Sequence, residues 1–416
     1  MRIGYVCITR GVYGTDFKTC TLKKATEENL LNIIDHNLNT LDKIIDYNIK
    51  MNIKFFRLSS DLIPFGSSEV NTLNWDELFQ DKFQKIGEKI RENGIRTSMH
   101  PGQYTVLNSP NEDVLKRAVE DLEYHNRFLN ALQMDKTSKL ILHIGGVYGD
   151  KKSAIERFEK NYHLLSQEIK DRLIIENDDV SYNIGEVLEI GMKNGIPVVY
   201  DNLHNALLPT DETMSDGYYI TLASKTWKSS DGKQKIHYSQ SANAFKNGNH
   251  SKTIDLEEFK GFVESIPDVD IMLEVKDKNI SAIKVNNLLD PKKGIKNLEE
   301  EWARYKYNIL ERDQNIYKEI RTLLKDKKSY PIIEFYRLID KGMGIEIDKS
   351  NAINAASHVW GYFKNLAEEK EKKKYESYMQ LFGKGTYSLN ALKNLLLKLA
   401  VKYNSTYLLE SYYFHL

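Results

Sequence analysis

The chain is poor in the residues that build several common kinds of site. Only Cys7 and Cys20 stand among its 416 residues, too few for a disulfide framework or a thiolate zinc site, and two thiols suit a reducing compartment. Neither sign of charge is in excess, with 59 Lys+Arg against 59 Asp+Glu. Overall charge therefore announces no polyanion, membrane or acidic partner, and any phosphate-binding surface has to be a local patch. No apolar run approaches the roughly 18 residues of a membrane span, and no long apolar segment follows Met1-Arg2-Ile3-Gly4-Tyr5. These absences lead us to expect a soluble cytoplasmic protein without a membrane partner. There is also no G-x-G-x-x-G or Walker sequence, which argues against a nucleotide-cofactor enzyme.

What is present, from the first residue to about 290, is an alternation of short apolar runs with longer amphipathic segments. Eight runs read as buried strands: Ile3–Ile8, Ile53–Leu58, Ile95–His100, Lys139–Ile144, Leu173–Glu176, Val198–Asp201, Lys235–Tyr238 and Val269–Val275. Helical periodicity fills Asn29–Asn48, Asp81–Asn93, Val114–Leu132, Ala154–Ile169 and Ile184–Lys193. Thr26 followed by Glu27 and Glu28 offers an N-cap and an acidic first turn, while Asn93-Gly94 and Asn194-Gly195-Ile196-Pro197 are stop signals between helix and strand. Eight such units predict a TIM (β/α)8 barrel over residues 1–297. From about Leu298 strand signals vanish, and residues 298–416 read as a helical extension whose tyrosines serve packing.

The imidazoles and carboxylates fall in a pattern. Strand three ends in His100, strand four in His143, strand five in Glu176, and strand six in Asp201 with His204 three residues on. Strand seven carries His237, the loop after it His250, and strand eight ends in Glu274. In a barrel these ends converge on one mouth. Five histidines and three acids in one pocket need a cation to balance them, and eight donors suffice for two or three ions at three or four protein ligands each. Imidazole with carboxylate suits Mn, Zn, Fe or Co. The histidines in helical or terminal segments, His36, His125, His163, His358 and His415, are expected to be structural.

Two or three neighbouring ions activate a water and stabilise in-line displacement at phosphorus. A barrel sugar isomerase or epimerase is the alternative on this fold. It usually manages with a carboxylate-rich pair of ions, so the His-heavy inventory favours phosphodiester hydrolysis.

The stretches Phe56-Arg57-Leu58-Ser59-Ser60-Asp61-Leu62-Ile63-Pro64-Phe65, His100-Pro101-Gly102-Gln103-Tyr104, Leu142-His143-Ile144-Gly145-Gly146, Glu176-Asn177-Asp178 and Asp201-Asn202-Leu203-His204 resemble those of UV damage endonucleases, relatives of endonuclease IV. Five short motifs in the right order are specific, and weaker matches at His237, His250 and Glu274 extend the resemblance across the barrel. It implies incision of DNA immediately 5′ of pyrimidine dimers, 6-4 photoproducts and abasic sites, initiating excision repair. The ligands it implies are the same eight residues, with Mn foremost and Zn, Co or Mg possible, and Glu176 bridging.

The resemblance also implies chemical roles for Glu176, Lys235 and His237, with Lys235 open to carboxylation as a further donor. Gln103 and Tyr104 match residues that push into the duplex opposite the lesion, and Tyr5 an aromatic lining the damage pocket. UV-damaged double-stranded DNA is the expected partner of a monomer associated with the nucleoid. Arg57, Lys225, Lys228 and Lys233 are nominated for the phosphate backbone. In one departure, some relatives place a histidine just after the Pro-Phe segment, where this chain reads Gly66-Ser67-Ser68-Glu69.

Overall fold

A computed structural model of the chain describes residues 1–241, 249–290, 292 and 294–416. It divides into two compact units: residues 1–9 with 15–285, and residues 10–14 with 286–416. The division falls earlier than the expected 297/298 and gives the short loop 10–14 to the second unit.

The first unit is the expected barrel. Eight parallel strands, β1 (Ile3–Val6), β2 (Phe55–Leu58), β3 (Arg96–Met99), β4 (Lys139–His143), β5 (Leu173–Glu176), β6 (Val198–Val199), β7 (Lys235–Tyr238) and β8 (Asp270–Leu273), pair in the order β6-β5-β4-β3-β2-β1-β8-β7. The two ends meet through a parallel bridge between Asp201 and His237, with the His237 N–H donating to the Tyr200 carbonyl at 2.9 Å. All eight are buried almost throughout, which is why they read as unbroken apolar runs instead of alternating ones.

Alternation along each strand sorts the side chains into layers. At the N-terminal end a buried charge network plugs the barrel: Arg96 bonds Asp270 at 3.1 Å, and Lys139 donates to Asp231 at 2.5 Å. Above it pack Val6, Phe55 and Met272, and Ile141, Ile174 and Val199. At the C-terminal end the next inward positions carry Arg57, His100, His143, Glu176, Asp201, His237 and Glu274. The apolar layer thus separates two polar ends, and the second is the one that matters for chemistry.

Helices cover the outside, as their amphipathic periods require. Helix Glu27–Lys50 begins where expected, its Thr26 side chain accepting from the Asn29 N–H at 3.3 Å. Helix Ile184–Asn194 ends on Gly195 at φ 68°, a left-handed cap that glycine adopts without strain. One expectation fails. The single helix drawn over Ala154–Ile169 is two, Lys151–Leu164 and Gln167–Arg172. Leu165 and Ser166 are extended between them, and the Ser166 hydroxyl caps the second by accepting from Ile169. Among the described residues no helix is long and apolar enough to cross a membrane.

The second unit is helical, with its main helices at Gly294–Leu310, Gln314–Leu323, Ile332–Met343, Lys349–Trp360, Glu369–Gly383 and Leu389–Lys402. Tyr307, Val359, Phe363, Leu392, Leu396 and Tyr413 share its core, and Trp360 stacks on Tyr375 with ring centroids 4.1 Å apart. Many tyrosines are packing residues, as their helical setting suggested.

Candidate metal centre

Glu176 ends β5 and is 1% exposed. Register places it beside His143 of β4, and the inward alternation brings His100 and His237 to it from β3 and β7. Its Oε2 lies 3.2 Å from His100 Nε2 and 3.8 Å from His143 Nε2. Its Oε1 lies 2.7 Å from His237 Nδ1 and 3.7 Å from His204 Nδ1. Three donor groups result: His100, His143 and Glu176; Glu176, His237 and Glu274; Glu176, Asp201 and His204. Within each, one ligand atom per residue lies within 4.8 Å of the others. Glu176 belongs to all three.

Local structure fixes these side chains. Asp201 caps the helix Asn202–Leu207, its Oδ1 accepting from the His204 N–H at 2.8 Å, and that turn puts Asp and His three residues apart on the mouth. Asn177 holds the arrangement: its Oδ1 accepts from the Asp201 N–H at 2.9 Å and its carbonyl meets His204 Nδ1 at 2.9 Å. Such outer partners set the ring orientation of a ligand histidine. Gly145, after His143, has φ 110°, and a Cβ there would lie 2.3 Å from Asn108 Oδ1. The first glycine of the pair after the histidine motif is therefore required by backbone conformation and space.

The electrostatics are those of a site built for positive charge. Burial alone would raise the Glu176 carboxyl, but His237, His143 and His100 hold it well below the usual carboxylate range. Asp201 is pushed up to about 7 by burial, with Glu176 and Glu274 adding to the shift. Burial opposes a charge on His204, but Asp201, Glu176 and Glu274 outweigh it and lift its pKa to about 9. His143 Nδ1 and Asp201 Oδ2 are buried without a hydrogen-bond partner among the described residues. Unpaired buried donors and acceptors are costly, and a cation against these atoms would relieve the cost.

Arg57 was expected at the DNA backbone, and here the structure corrects the sequence. It is 5% exposed, forms a salt bridge to Glu274, and donates from Nη2 to His237 Nε2 at 2.9 Å. A guanidinium only donates, so His237 carries its proton on Nδ1, facing Glu176. Burial, with Arg57 contributing, pushes the His237 pKa down to about 4. Position two residues after Phe55 on an inward-facing register was the signal that could have found Arg57. Lys225, Lys228 and Lys233 precede β7 and so lie at the opposite end of the barrel, where Lys233 pairs with Asp268 at 2.7 Å.

Two further residues stand apart from the three donor groups. His250 stands outside all three donor groups: its Nδ1 meets the Ser239 hydroxyl at 2.6 Å, and that hydroxyl bonds the Glu274 carbonyl at 3.0 Å. Tyr5 is fully buried, because alternation turns it outward under the helix Glu27–Lys50, where its hydroxyl donates to Asn48 Oδ1 at 2.8 Å.

Lys235 is fully buried two residues before His237, with Nζ over the Phe55 ring at 5.6 Å and no hydrogen-bond partner among the described residues. Burial, then Arg57 and Arg96, depress its pKa well below the ordinary lysine value. Burial thus favours the uncharged, nucleophilic form of the amine.

Beside the donors opens a cavity of about 1150 Å³, lined by His100, His143 and His204 and by Gln103, Tyr104 and Tyr148. Tyr104 is 83% exposed on the turn after β3. The turn holds Gln103 and Tyr104 out over the mouth, where a bound macromolecule would meet them.

A (β/α)8 barrel that brings imidazoles and carboxylates from six successive strands to one mouth, beside a wide cavity, belongs to the class of barrel proteins with a donor set for several metal ions. Residues 1–308 match the family described as UV-endonuclease UvdE, and the chain belongs to that family. Residues 306–416 match a family described as a protein of unknown function, DUF1722. A UV DNA damage endonuclease of Clostridium perfringens (strain 13 / Type A) is 42% identical over 400 residues, 91% of this chain and 95% of its own. One of Bacillus mycoides (strain KBAB4) is 31% identical over 310 residues, 72% of this chain and 97% of its own. The crystal structure of SacUVDE is 38% identical with a TM-score of 0.66, covering 70% of this chain and 99% of that one.

Proposed function

We propose that the chain is a metal-dependent DNA repair endonuclease. It hydrolyses the phosphodiester bond immediately 5′ of pyrimidine dimers, 6-4 photoproducts and abasic sites in duplex DNA, acting as a monomer in the cytoplasm at the nucleoid. The observation that carries this reading is the sharing of Glu176 by three donor groups, which is the arrangement a bridging carboxylate needs. Two or three divalent ions, Mn foremost, would be held by His100, His143, Glu176, Asp201, His204, His237 and Glu274, with His250 joining them by turning from Ser239. Bound there, they would supply charge stabilisation at phosphorus and an activated water.

The chain's own residues do the rest. Glu176 stays ionised under the imidazoles, and Asn177 and Arg57 hold Asp201, His204 and His237 in register. Lys235, buried and without a hydrogen-bond partner among the described residues, is poised for carboxylation, which would convert a buried amine into a further anionic donor. Gln103 and Tyr104 enter the duplex opposite the lesion, where stacking is already weakened and extrusion costs least.

Incubation with UV-irradiated plasmid and Mn, with and without chelator, tests the reading. Nicking of irradiated DNA alone, abolished by chelator and mapping to a 3′-hydroxyl 5′ of the lesion, is expected. Equal nicking of irradiated and untreated plasmid, or indifference to chelator, would overturn it.

A further inference from the structure

Positive backbone φ at non-glycine residues marks the tight turns of the chain, and two of those turns carry aromatics to the cavity beside the donors. Seven described non-glycine residues have positive φ: Cys7, Asn52, Phe65, Gln133, Tyr148, Lys278 and Asn404. Asn52, Gln133 and Asn404 each follow a helix C-cap, where the left-handed turn satisfies the last carbonyls. Cys7 and Lys278 each return a backbone N–H, to Arg57 and Val275 respectively. Phe65 and Tyr148 stand in hydrogen-bonded turns, the Gly66 N–H donating to the Ile63 carbonyl at 3.1 Å and the Asp150 N–H to the Val147 carbonyl at 3.0 Å, and both line the cavity beside the donor cluster.

Tyr148 is the more unusual. The turn places a bulky aromatic at φ 49°, where glycine, asparagine or aspartate is the ordinary choice, and the side chain is 46% exposed. Its ring lies over Gly146, the second glycine after the His143 motif, where a Cβ would come within 3.3 Å of it. Arg157 stands behind, its guanidinium carbon 5.7 Å from the ring centroid, and is itself fixed by donating from Nε to the Asn108 carbonyl at 2.8 Å. The ring is thus backed by Arg157 and half exposed in the cavity lining. Val180, 78% exposed on the loop after β5, lines the same cavity, as does Tyr104. Three exposed side chains from three successive loops, two of them aromatic, thus stand around the mouth. Planar apolar surface beside a hydrolytic centre matches an unstacked nucleobase, which gains its missing stacking partner on an aromatic face.

We infer that Tyr148 is a specificity-determining residue, the platform on which an extruded lesion base stacks, distinct from the Gln103-Tyr104 turn that enters the duplex. The inference rests on the proposed action on damaged DNA. It predicts selectivity between lesions: a dimer presents bases to stack, an abasic site presents none.

The test is binding of the full chain, in chelator so that no incision intervenes, to duplexes bearing a single thymine dimer, a single abasic-site analogue or no lesion. Tyr148→Ala should weaken binding to the dimer duplex about tenfold and leave the abasic duplex unchanged, and Tyr148→Phe should retain both. Tyr148→Gly, which accepts the positive φ, should bind as Tyr148→Ala does and unfold at a Tm no lower than the parent. Equal losses on both damaged duplexes, no loss on the dimer duplex, or a lower Tm for the glycine variant would overturn the proposal. A wild-type protein that fails to prefer either damaged duplex would overturn the DNA reading itself, and the proposal with it.

Discussion

Glu176 and His237 meet at 2.7 Å, carboxylate to imidazole, although they stand on β5 and β7, which are not neighbours in the sheet. Only closure of the barrel brings them together, so the contact measures the fold and the site at once. Replacing the carboxylate by an amide keeps the shape and removes the charge that three donor groups share. Outer partners alone are worth about 10–100-fold in metal affinity. Glu176→Gln should therefore lower Mn affinity by at least about 100-fold, read by calorimetric titration, and remove incision while damaged-duplex binding survives. Mn affinity within a few-fold of the parent would show that Glu176 bridges nothing.

Arg57 gives a second prediction, because its guanidinium pairs with Glu274 in the same place where a cation would. Removing one partner of a buried ion pair strands the other charge, at a cost of about 3–5 kcal/mol. Arg57→Met should be destabilised by that amount in chelator and by clearly less with saturating Mn, which would take over the role of counter-charge to Glu274. Thermal unfolding of both proteins under both conditions decides it. An equal loss with and without Mn would show that Glu274 does not face the ion.

The barrel was legible because buried parallel strands are nearly continuous apolar runs, and because a donor at a strand's end has only one mouth to face. His100, His143, Glu176 and Glu274 could be located by that rule alone. Arg57 was misassigned because an inward and an outward strand position look alike in a buried sheet: Phe56 faces the helices and Arg57 the centre, and no polar alternation marks the difference. Tyr5 was misplaced for the same reason. The break at Leu165-Ser166 was hidden by helical periodicity on both sides, with a single serine cap as its signal. His250's partner could not be read, since the Ser239 hydroxyl reaches it across an antiparallel bridge between Ser241 and His250 that no periodicity announces.

His125 allows a pH prediction away from the donors. It is 1% exposed, with Nδ1 2.6 Å from the Asp121 carbonyl and Nε2 2.8 Å from the Ser60 hydroxyl. Burial, against the pull of Asp121, holds its pKa below the ordinary value. The folded state therefore binds its proton less readily than the unfolded state, whose pKa is about 6.5. The contribution to stability is fully present above that pH and is lost as pH falls through and below it toward the folded pKa. Denaturant titrations between about pH 7.5 and 5 should show His125→Asn with a shallower acid-side loss of stability than the parent. Parallel curves would mean that the imidazole is protonated equally in both states.

Lys235 separates a structural lysine from a chemical one. A buried amine with no hydrogen-bond partner among the described residues is a liability of about 1–3 kcal/mol, and methionine fills nearly the same volume without it. If the side chain only packed against Phe55, Lys235→Met would be more stable and otherwise unchanged. As a carboxylated donor it would instead be needed at the centre. We expect Lys235→Met to gain stability in chelator yet bind fewer Mn equivalents than the parent. The parent alone should show a bicarbonate-dependent carbamate signal by ¹³C NMR. Unaltered Mn stoichiometry in the variant, with no carbamate in the parent, would assign Lys235 to packing alone.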